Sequence, residues 1–237
     1  MQKLIVICLL FVIVGKSYAQ QMENLYDFDE NRMHFGFVLG YNKADFYLDK
    51  NTNYGISVDT LMVLEVEAKP GFNLGIVSSL KLTPNLKIRL LPSLSFQERV
   101  IEYTYFKQPD SSEFWKKEVQ PVFLDFPLLL KFRTNRINNF AAYIIGGGRL
   151  GFDMSSSEGV KNSSASLEDQ IVKTSRADYG LEIGGGIDLF LEYFKFGVEL
   201  KLGMGLKNML IQENLKFSSP IESLRSKVWT LSFTFEG

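Results

Sequence analysis

Residues Val228–Gly237, VWTLSFTFEG, alternate between large apolar side chains and small hydroxyl side chains. The large members of this pattern are Trp229, Leu231, Phe233 and Phe235. Because successive side chains of a strand point to opposite faces, the pattern predicts a strand with one apolar and one small polar face. In a soluble sandwich the apolar face would pack on a second sheet. In a membrane barrel it would face lipid, and the hydroxyl groups would face a narrow lumen.

The same two-residue period recurs along the chain, and no segment of comparable length has a helical period. The alternating segments are 34–42, 72–82, 86–99, 122–132, 140–153, 179–189, 194–206 and 228–237.

The links between these segments alternate strictly between short and long. The short links are Thr83–Asn85, the RTNRIN stretch at 133–138 and a turn near Leu191 and Glu192, and the long ones are roughly 43–69, 103–118, 155–176 and 207–227. Outer-membrane barrels have short periplasmic turns and long outer loops, whereas a sandwich has no reason to place every short turn at one end. We therefore predict an all-β fold, an eight-stranded antiparallel transmembrane β-barrel with short periplasmic turns and long outer loops.

Charged side chains of these segments fall on the polar face of the alternation. In a soluble lipocalin-like barrel they would be solvated, and the aromatic side chains would surround an internal ligand. In a membrane barrel the charges lie in the lumen and must pair, because an unpaired buried charge is costly. The predicted lumen network comprises Lys87, Arg89, Arg99, Asp125, Lys131, Arg149, Glu182, Asp188, Glu199 and Lys201.

The aromatic residues of the apolar face favour the membrane barrel over both soluble alternatives, because they gather at the two ends of the strands. The predicted periplasmic ring comprises Phe35, Phe132, Phe140, Phe194 and Phe235, and the opposite ring comprises Tyr41, Phe72, Phe96, Phe152, Tyr179 and Trp229. Two such girdles with aliphatic residues between them match the two interfaces of a bilayer.

The N-terminal residues predict export. Lys3 precedes the apolar run 4–14, and small residues at Ser17 and Ala19 fit signal cleavage after Ala19. We therefore predict a signal peptide at 1–19, a periplasmic leader at 20–32 and a barrel at 33–237, in the outer membrane with both termini in the periplasm. Cleavage would also remove Cys8, the single cysteine, so we expect neither a disulfide nor a lipid-bearing cysteine.

The leader QQMENLYDFDENRM is acidic, with the apolar residues Leu25, Tyr26 and Phe28 embedded in it. It is either a disordered tail or a short plug and contact point for a periplasmic partner, and the sequence leaves both open. The alternating run 58–68, VDTLMVLEVEA, predicts a hairpin extension above the membrane and a second candidate surface for a partner.

Signals for catalysis or cofactor binding are weak. The single histidine, His34, begins the first strand at the predicted periplasmic edge, where a capping or turn role is the simpler interpretation. The glycine runs 146–148 and 184–186 lie inside strands, whereas a phosphate-binding loop needs a following helix, so bulges or close packing explain them better. We expect no enzyme, no metal and no cofactor. The near balance of 26 basic and 27 acidic residues gives no support to nucleic-acid binding.

The stretch Glu23–Phe46, ENLYDFDENRMHFGFVLGYNKADF, resembles the opening of the PorT family, small outer-membrane barrels linked to type IX secretion and gliding in Bacteroidota. The residues that carry the resemblance are Glu23, Asn24, Leu25, Phe28, Asp29, His34, Phe35, Gly36, Phe37, Gly40, Asn42, Asp45 and Phe46. Weaker similarity runs through PGFNLGIVSSLKL, RLLPSLSFQER and FLDFPLLLKF.

This resemblance implies a non-enzymatic component that export of cargo proteins across the outer membrane requires. The implied partners are outer-membrane lipid and other type IX secretion components. Eight strands enclose a lumen too narrow for a folded protein, so we expect a scaffold or assembly role and not a conduit. The alternative is a generic outer-membrane barrel for adhesion or envelope integrity.

Overall fold

The computed structural model describes residues 23–51, 61–107, 111–160, 162 and 166–237. The predicted signal peptide and the first residues of the predicted leader lie outside these ranges. Within them, the single helix is a short 3-10 turn, Tyr26–Asp29, and no helix is long and apolar enough to cross a membrane. The remaining regular structure is β-strand.

Eleven strands form one antiparallel system. They are β1 (Met33–Lys50), β2 (Leu61–Lys81), β3 (Leu86–Leu90), β4 (Ser93–Phe96), β5 (Arg99–Lys107), β6 (Ser111–Val119), β7 (Val122–Arg133), β8 (Phe140–Asp153), β9 (Ala177–Phe190), β10 (Lys195–Gly205) and β11 (Ile221–Glu236).

The sheet closes on itself as an eight-stave ring. β3 and β4 together make one stave, and the others are β1, β2, β7, β8, β9, β10 and β11. Closure occurs at β1, where Phe37 pairs with Ile76 of β2 on one side and with Phe235 of β11 on the other. This confirms the predicted eight-stranded antiparallel barrel. We call the end with the three short links and both ends of the described chain the turn end, and the opposite end the loop end.

The stave made of β3 and β4 is interrupted at Leu91 and Pro92. Proline has no N–H to donate to a ladder, so the chain cannot continue a regular strand there. The remaining groups still bond to both neighbours, since Leu91 N donates to Pro127 O at 3.1 Å and Ile76 N donates to Pro92 O at 2.9 Å. The wall therefore stays closed across the interruption.

The loop end contains more strand than the sequence predicted, which corrects the expectation of a loop at 103–118. β5 and β6 form a hairpin there, and β5 pairs with the first half of β2, from Leu61 to Ala68. β1 likewise continues to Lys50, so much of the predicted link 43–69 is strand. The inward residues Ile101, Tyr103 and Tyr105 alternate as in the barrel, but the charged outward residues made this segment look like a polar loop.

Apolar side chains close the loop end from inside. This apolar cap comprises Phe46, Leu64, Ile101, Tyr103, Tyr105, Val119, Phe123, Val172, Met209, Leu210, Phe217, Ile221 and Leu224. The hydroxyl groups of its two tyrosines hydrogen-bond to backbone carbonyls. Tyr103 Oη donates to Phe217 O at 2.7 Å, and Tyr105 Oη donates to Lys216 O at 2.9 Å. The segment around residue 217 is thereby held across the barrel mouth.

The first glycine run serves close strand packing, without a bulge. The register of β8 with both neighbours is continuous through residues 146–148. A Cβ at Gly147 would overlap the Leu128 carbonyl oxygen and lie 2.9 Å from Leu129 Cα, whereas a Cβ at Gly148 would have no neighbour within 4 Å.

We expect Gly147→Ala to lower the free energy of unfolding by about 1–3 kcal/mol, because the added methyl forces the two strands apart. Gly148→Ala is the matched control and should leave stability nearly unchanged. Urea unfolding of the barrel in lipid vesicles, followed by tryptophan fluorescence, measures both. Equal stability of the two variants would contradict the packing argument.

Candidate functional site

The lumen is filled by charged side chains that meet from opposite walls. At its centre Arg89 of β3 donates to Glu199 of β10 at 2.7 Å and to Glu236 of β11 at 3.4 Å. All three side chains are fully buried. Tyr143 Oη donates to the same Glu199 carboxylate at 3.0 Å. These hydrogen bonds link the staves of β3, β10 and β11 across the interior, and Tyr143 adds β8.

Two lysines on facing staves complete this central layer. Lys131 Nζ donates to both oxygens of Asp188, at 2.9 and 2.8 Å. Lys195 Nζ donates to Glu236 at 2.8 Å and lies 3.9 Å from Asp188. Every charged group of the layer therefore has an opposite charge in contact, which a buried charge requires.

A second layer lies nearer the loop end and centres on Arg149. Its guanidinium donates to Asp178 at 2.5 Å and to Asp125 at 3.2 Å. Glu182 lies 4.0 Å from the same guanidinium. Lys201 joins the two layers, because its Nζ is 3.5 Å from both Glu182 and Glu199.

Arg99 marks the boundary between the charged lumen and the apolar cap. Among the described residues it forms no ion pair, and its guanidinium donates instead to Gln97 at 2.6 Å, to Ser226 at 2.8 Å and to the Asp45 backbone carbonyl at 3.1 Å. One face of the guanidinium packs 4.4 Å from the Phe46 ring centroid. Neutral oxygens and an aromatic ring thus take the place of a counterion.

The turn end is closed by the leader, which we call the plug (residues 24–29). Phe28 is 5% exposed, and its ring stacks on His34 at 3.8 Å between centroids, with the planes 11° apart. Phe28 also meets Phe190 edge-on at 5.8 Å. His34 therefore neither caps nor turns the chain, because it is buried beneath the plug as the second residue of β1.

Charges also fasten the plug. Asp29 accepts a hydrogen bond from Arg133 at 2.9 Å and lies 3.6 Å from Lys87 Nζ. Burial would raise the pKa of the Asp29 carboxyl, but Arg133 and Lys87 outweigh it and hold that pKa below its ordinary value. Arg136 donates to the carbonyl oxygens of Asn24 and Leu25. The plug is an ordered element of the barrel.

The three leader residues singled out from the sequence have different placements. Phe28 is buried, and Leu25 packs partly buried against Phe28, Ala141 and Phe190. Tyr26 is 75% exposed. Only Tyr26 of the three is therefore available to another molecule while the plug is seated.

Little space remains in the lumen. Two cavities beside the second charged layer, lined in part by Asp125, Glu182 and Lys201, have volumes of about 20 and 30 Å³. Each has room for roughly one or two water molecules. The plug, the charged layers and the apolar cap thus occupy the described barrel from one end to the other.

The predicted aromatic residues all lie on the outward face in two groups near the strand ends. Their half-exposed members include Phe35, Phe132 and Phe140 near the turn end, and Tyr41, Phe72, Phe152, Tyr179 and Trp229 near the loop end. Phe96, Phe194 and Phe235 are more covered because neighbouring rings pack against them, as Phe72 does against Phe96 at 4.4 Å.

All ten residues of the predicted lumen network point inward, but the set was incomplete. Asp178 and Glu236 belong to it and were missed, although the alternation already placed them inward, beside Tyr179 and Phe235. Asp29 was also missed, and no strand pattern could have found it because it lies in the 3-10 turn. Within the described residues, no group of three or more His, Cys, Asp or Glu side chains is arranged to hold a metal ion.

The model of one protein family, described as the outer membrane protein beta-barrel domain, matches residues 18–210. The chain belongs to this family. Its fold and family place the barrel in an outer membrane, and the outward aliphatic surface faces lipid there. No curated protein sequence matches the chain.

Solved structures similar to this barrel are also outer-membrane proteins. OprG from Pseudomonas aeruginosa is 13% identical, with 92% of this chain and 98% of that chain covered and a TM-score of 0.46. Ail, the attachment invasion locus protein of Yersinia pestis, is 14% identical, with coverages of 87% and 100% and a TM-score of 0.39. Neisserial surface protein A is 9% identical, with coverages of 85% and 96% and a TM-score of 0.41.

We expect Arg89→Ala to lower the free energy of unfolding by about 3–5 kcal/mol, because it takes one of two cations from each of two fully buried carboxylates, Glu199 and Glu236. Arg225→Ala removes the exposed pair with Asp49 and should cost no more than about 1 kcal/mol. Urea unfolding in vesicles compares the two. If the barrel tolerated both changes equally, the inward placement of the charges would be wrong.

Proposed function

We propose that this barrel is a non-conducting, non-enzymatic scaffold of the outer membrane that serves protein export through the type IX secretion system. The observation that carries the scaffold role is the closure of the lumen by the plug, the charged layers and the apolar cap. A pore would need an open, hydrated path, and a protein conduit would need a far wider barrel. The working surfaces are therefore the two ends.

The proposed orientation places the turn end in the periplasm and the loop end outside the cell. Short turns in the periplasm and long outer segments are the rule in this class of barrel. The two aromatic rings then lie at the two bilayer interfaces, where amphipathic rings are favoured. The plug and both described chain ends face the periplasm in this arrangement.

The type IX assignment is supported by the resemblance of Glu23–Phe46 to the PorT family. Several residues that carry this resemblance meet in one place, since Phe28 stacks on His34 and Asp29 binds Arg133. Asn24 is tied to the neighbouring turn through Asn139 and the Phe190 carbonyl. The segment that resembles the PorT family thus forms the plug and includes its exposed residue Tyr26.

The proposed contact surface for another secretion component is the exposed apolar rim of the turn end. It consists of Tyr26 on the plug, Ile137 in the β7–β8 turn and Tyr193 in the β9–β10 turn. Their exposed fractions are 75%, 70% and 85%. Exposed aromatic residues on ordered supports are typical anchors of protein interfaces.

The second candidate is a barrel for adhesion or envelope integrity. The loop end favours it, because the hairpin of β5 and β6 presents Phe106 and Phe114 outward, beside Met62 of β2. An ordered apolar face outside the cell suits contact with a surface or a neighbouring envelope protein. This function predicts lost attachment or detergent sensitivity with secretion intact.

We expect purified barrel in planar lipid bilayers to show no stepwise conductance. Phe28→Ala should also be silent, because the charged layers still fill the lumen when the plug is weakened. Refolded outer-membrane porin in the same bilayers is the positive control. Channel steps from the unmodified barrel would contradict the scaffold role.

We expect deletion of the gene to remove export cargo from the medium and trap it in the periplasm. Quantitative proteomics of both fractions, in deletion and complemented strains, measures this. Other outer-membrane proteins should keep their levels. An unchanged secretome would exclude the export function and leave adhesion or envelope integrity as the better proposal.

The rim can be tested in the same assay. Complementation with Tyr26→Ala should restore export less well than complementation with Tyr47→Ala, the matched control. Tyr47 is also an exposed tyrosine but lies at the loop end. Both proteins must reach the membrane in equal amounts. Full export with Tyr26→Ala would exclude this residue as the contact.

A further inference from the structure

The strand pairing of the barrel wall changes at one level across three neighbouring staves. At this level, which we call the wall break, strand structure is interrupted at Gln97–Glu98 between β4 and β5 and at Gln120–Pro121 between β6 and β7, whereas β2 continues through Pro70–Gly71. β2 exchanges β4 for β5 as its partner there, and its pairing with β1 ends at Lys69. Gln97 N donates to Pro121 O at 3.2 Å and holds the strands together across the break.

A cavity of about 300 Å³ lies at this break. Its wall includes Pro70, Phe72, Phe96, Glu98, Pro121 and Val122. This volume is at the lower end of those found for small-molecule sites, which are about 300–1,000 Å³. Phe72 is half exposed and belongs to the outward aromatic ring near the loop end. The cavity therefore opens on the outer surface at the edge of the lipid-facing band.

The lining of the cavity combines aromatic rings and prolines with two glutamines, Gln97 and Gln120, and Glu98 is its one charged side chain. The stacked rings of Phe72 and Phe96, 4.4 Å apart, form its membrane-facing side. Glu98 lies on the same outward face as Phe96, since the two are separated by a single residue in an extended chain. Among the described residues, Glu98 has neither an ion pair nor a side-chain hydrogen bond, and it is only partly exposed.

Two cations next to Glu98, one in the chain and one on the neighbouring strand, are committed elsewhere. The adjacent Arg99 points into the lumen, where Gln97 and Ser226 bind its guanidinium. Lys69 of β2 pairs with Glu67 at 2.8 Å. A carboxylate that has no counterion among the described residues, at a membrane interface, favours a ligand with a positive charge.

We propose that this cavity binds a membrane lipid with an ammonium head group. The ammonium group would meet the Glu98 carboxylate, and the adjoining hydrocarbon would lie along Phe72 and Phe96. An anionic head group is disfavoured, because Glu98 would repel it. The inference rests on the membrane placement of the barrel and is independent of any role in secretion.

The test uses the full barrel in nanodiscs with equal amounts of phosphatidylethanolamine and phosphatidylglycerol of identical acyl chains. Native mass spectrometry after release counts the lipids retained on each barrel. We expect one retained phosphatidylethanolamine, preferred about tenfold over phosphatidylglycerol, as one ion pair can provide. Glu98→Gln should abolish this preference. Glu65→Gln, at an exposed position of β2 that does not line the cavity, should leave it intact.

A second variant tests the cavity itself. Val122→Trp fills the cavity and should abolish retention of either lipid. Heat-modifiable migration in gel electrophoresis verifies that each variant is folded. Equal retention of both lipids by the unmodified barrel would overturn the proposal. So would a preference that survives Glu98→Gln. Loss of preference with Glu65→Gln as well would assign it to overall charge and likewise exclude the site.

Discussion

The pairing of charges inside a narrow ring is the constraint on which the rest of the structure depends. A lumen lined by eight staves brings opposite walls within reach of one another's side chains. Arg89 therefore contacts carboxylates of β10 and β11 from across the interior. Removing Arg89 would leave each of these buried carboxylates with one cation fewer, at a cost of several kcal/mol. The charged layers act as cross-braces, and strand closure and charge pairing stabilise each other.

The side chains of the charged layers fill the lumen between the two ends of the barrel. The charged layers continue directly into the plug at one end, because Lys87 serves Asp29 and Lys195 lies 4.8 Å from the Phe28 ring centroid. At the other end Arg99 hydrogen-bonds to polar groups of the lumen and packs against Phe46 of the apolar cap. One continuous interior thus connects the plug with the described part of the loop end, and the plug holds exposed residues such as Tyr26 on an ordered support.

At the wall break the regular strand pairing of the ring changes to the pairing of the outer hairpin. At this level β2 exchanges β4 for β5 as its partner, and Pro70 and Pro121 lie beside the exchange. Proline removes ladder donors where the pairing changes. The cavity beside Glu98 follows from that change. A lipid site at this level would be a by-product of how the outer hairpin joins the barrel.

The sequence by itself determined the two-residue period of the strands, the inward and outward face of each strand, and the number of staves. Alternation is a property of each strand alone, so it placed Arg89 and Glu199 inward and Phe72 and Trp229 outward before any partner was known. The tertiary structure alone decided which charges pair, because pairing across the lumen depends on the register and closure of the whole ring. It also decided that Phe28 and Asp29 form a plug, since their contacts come from staves far away in the chain. The strand character of β5 and the isolation of Glu98 were decided in the same way, by neighbours that no local pattern encodes.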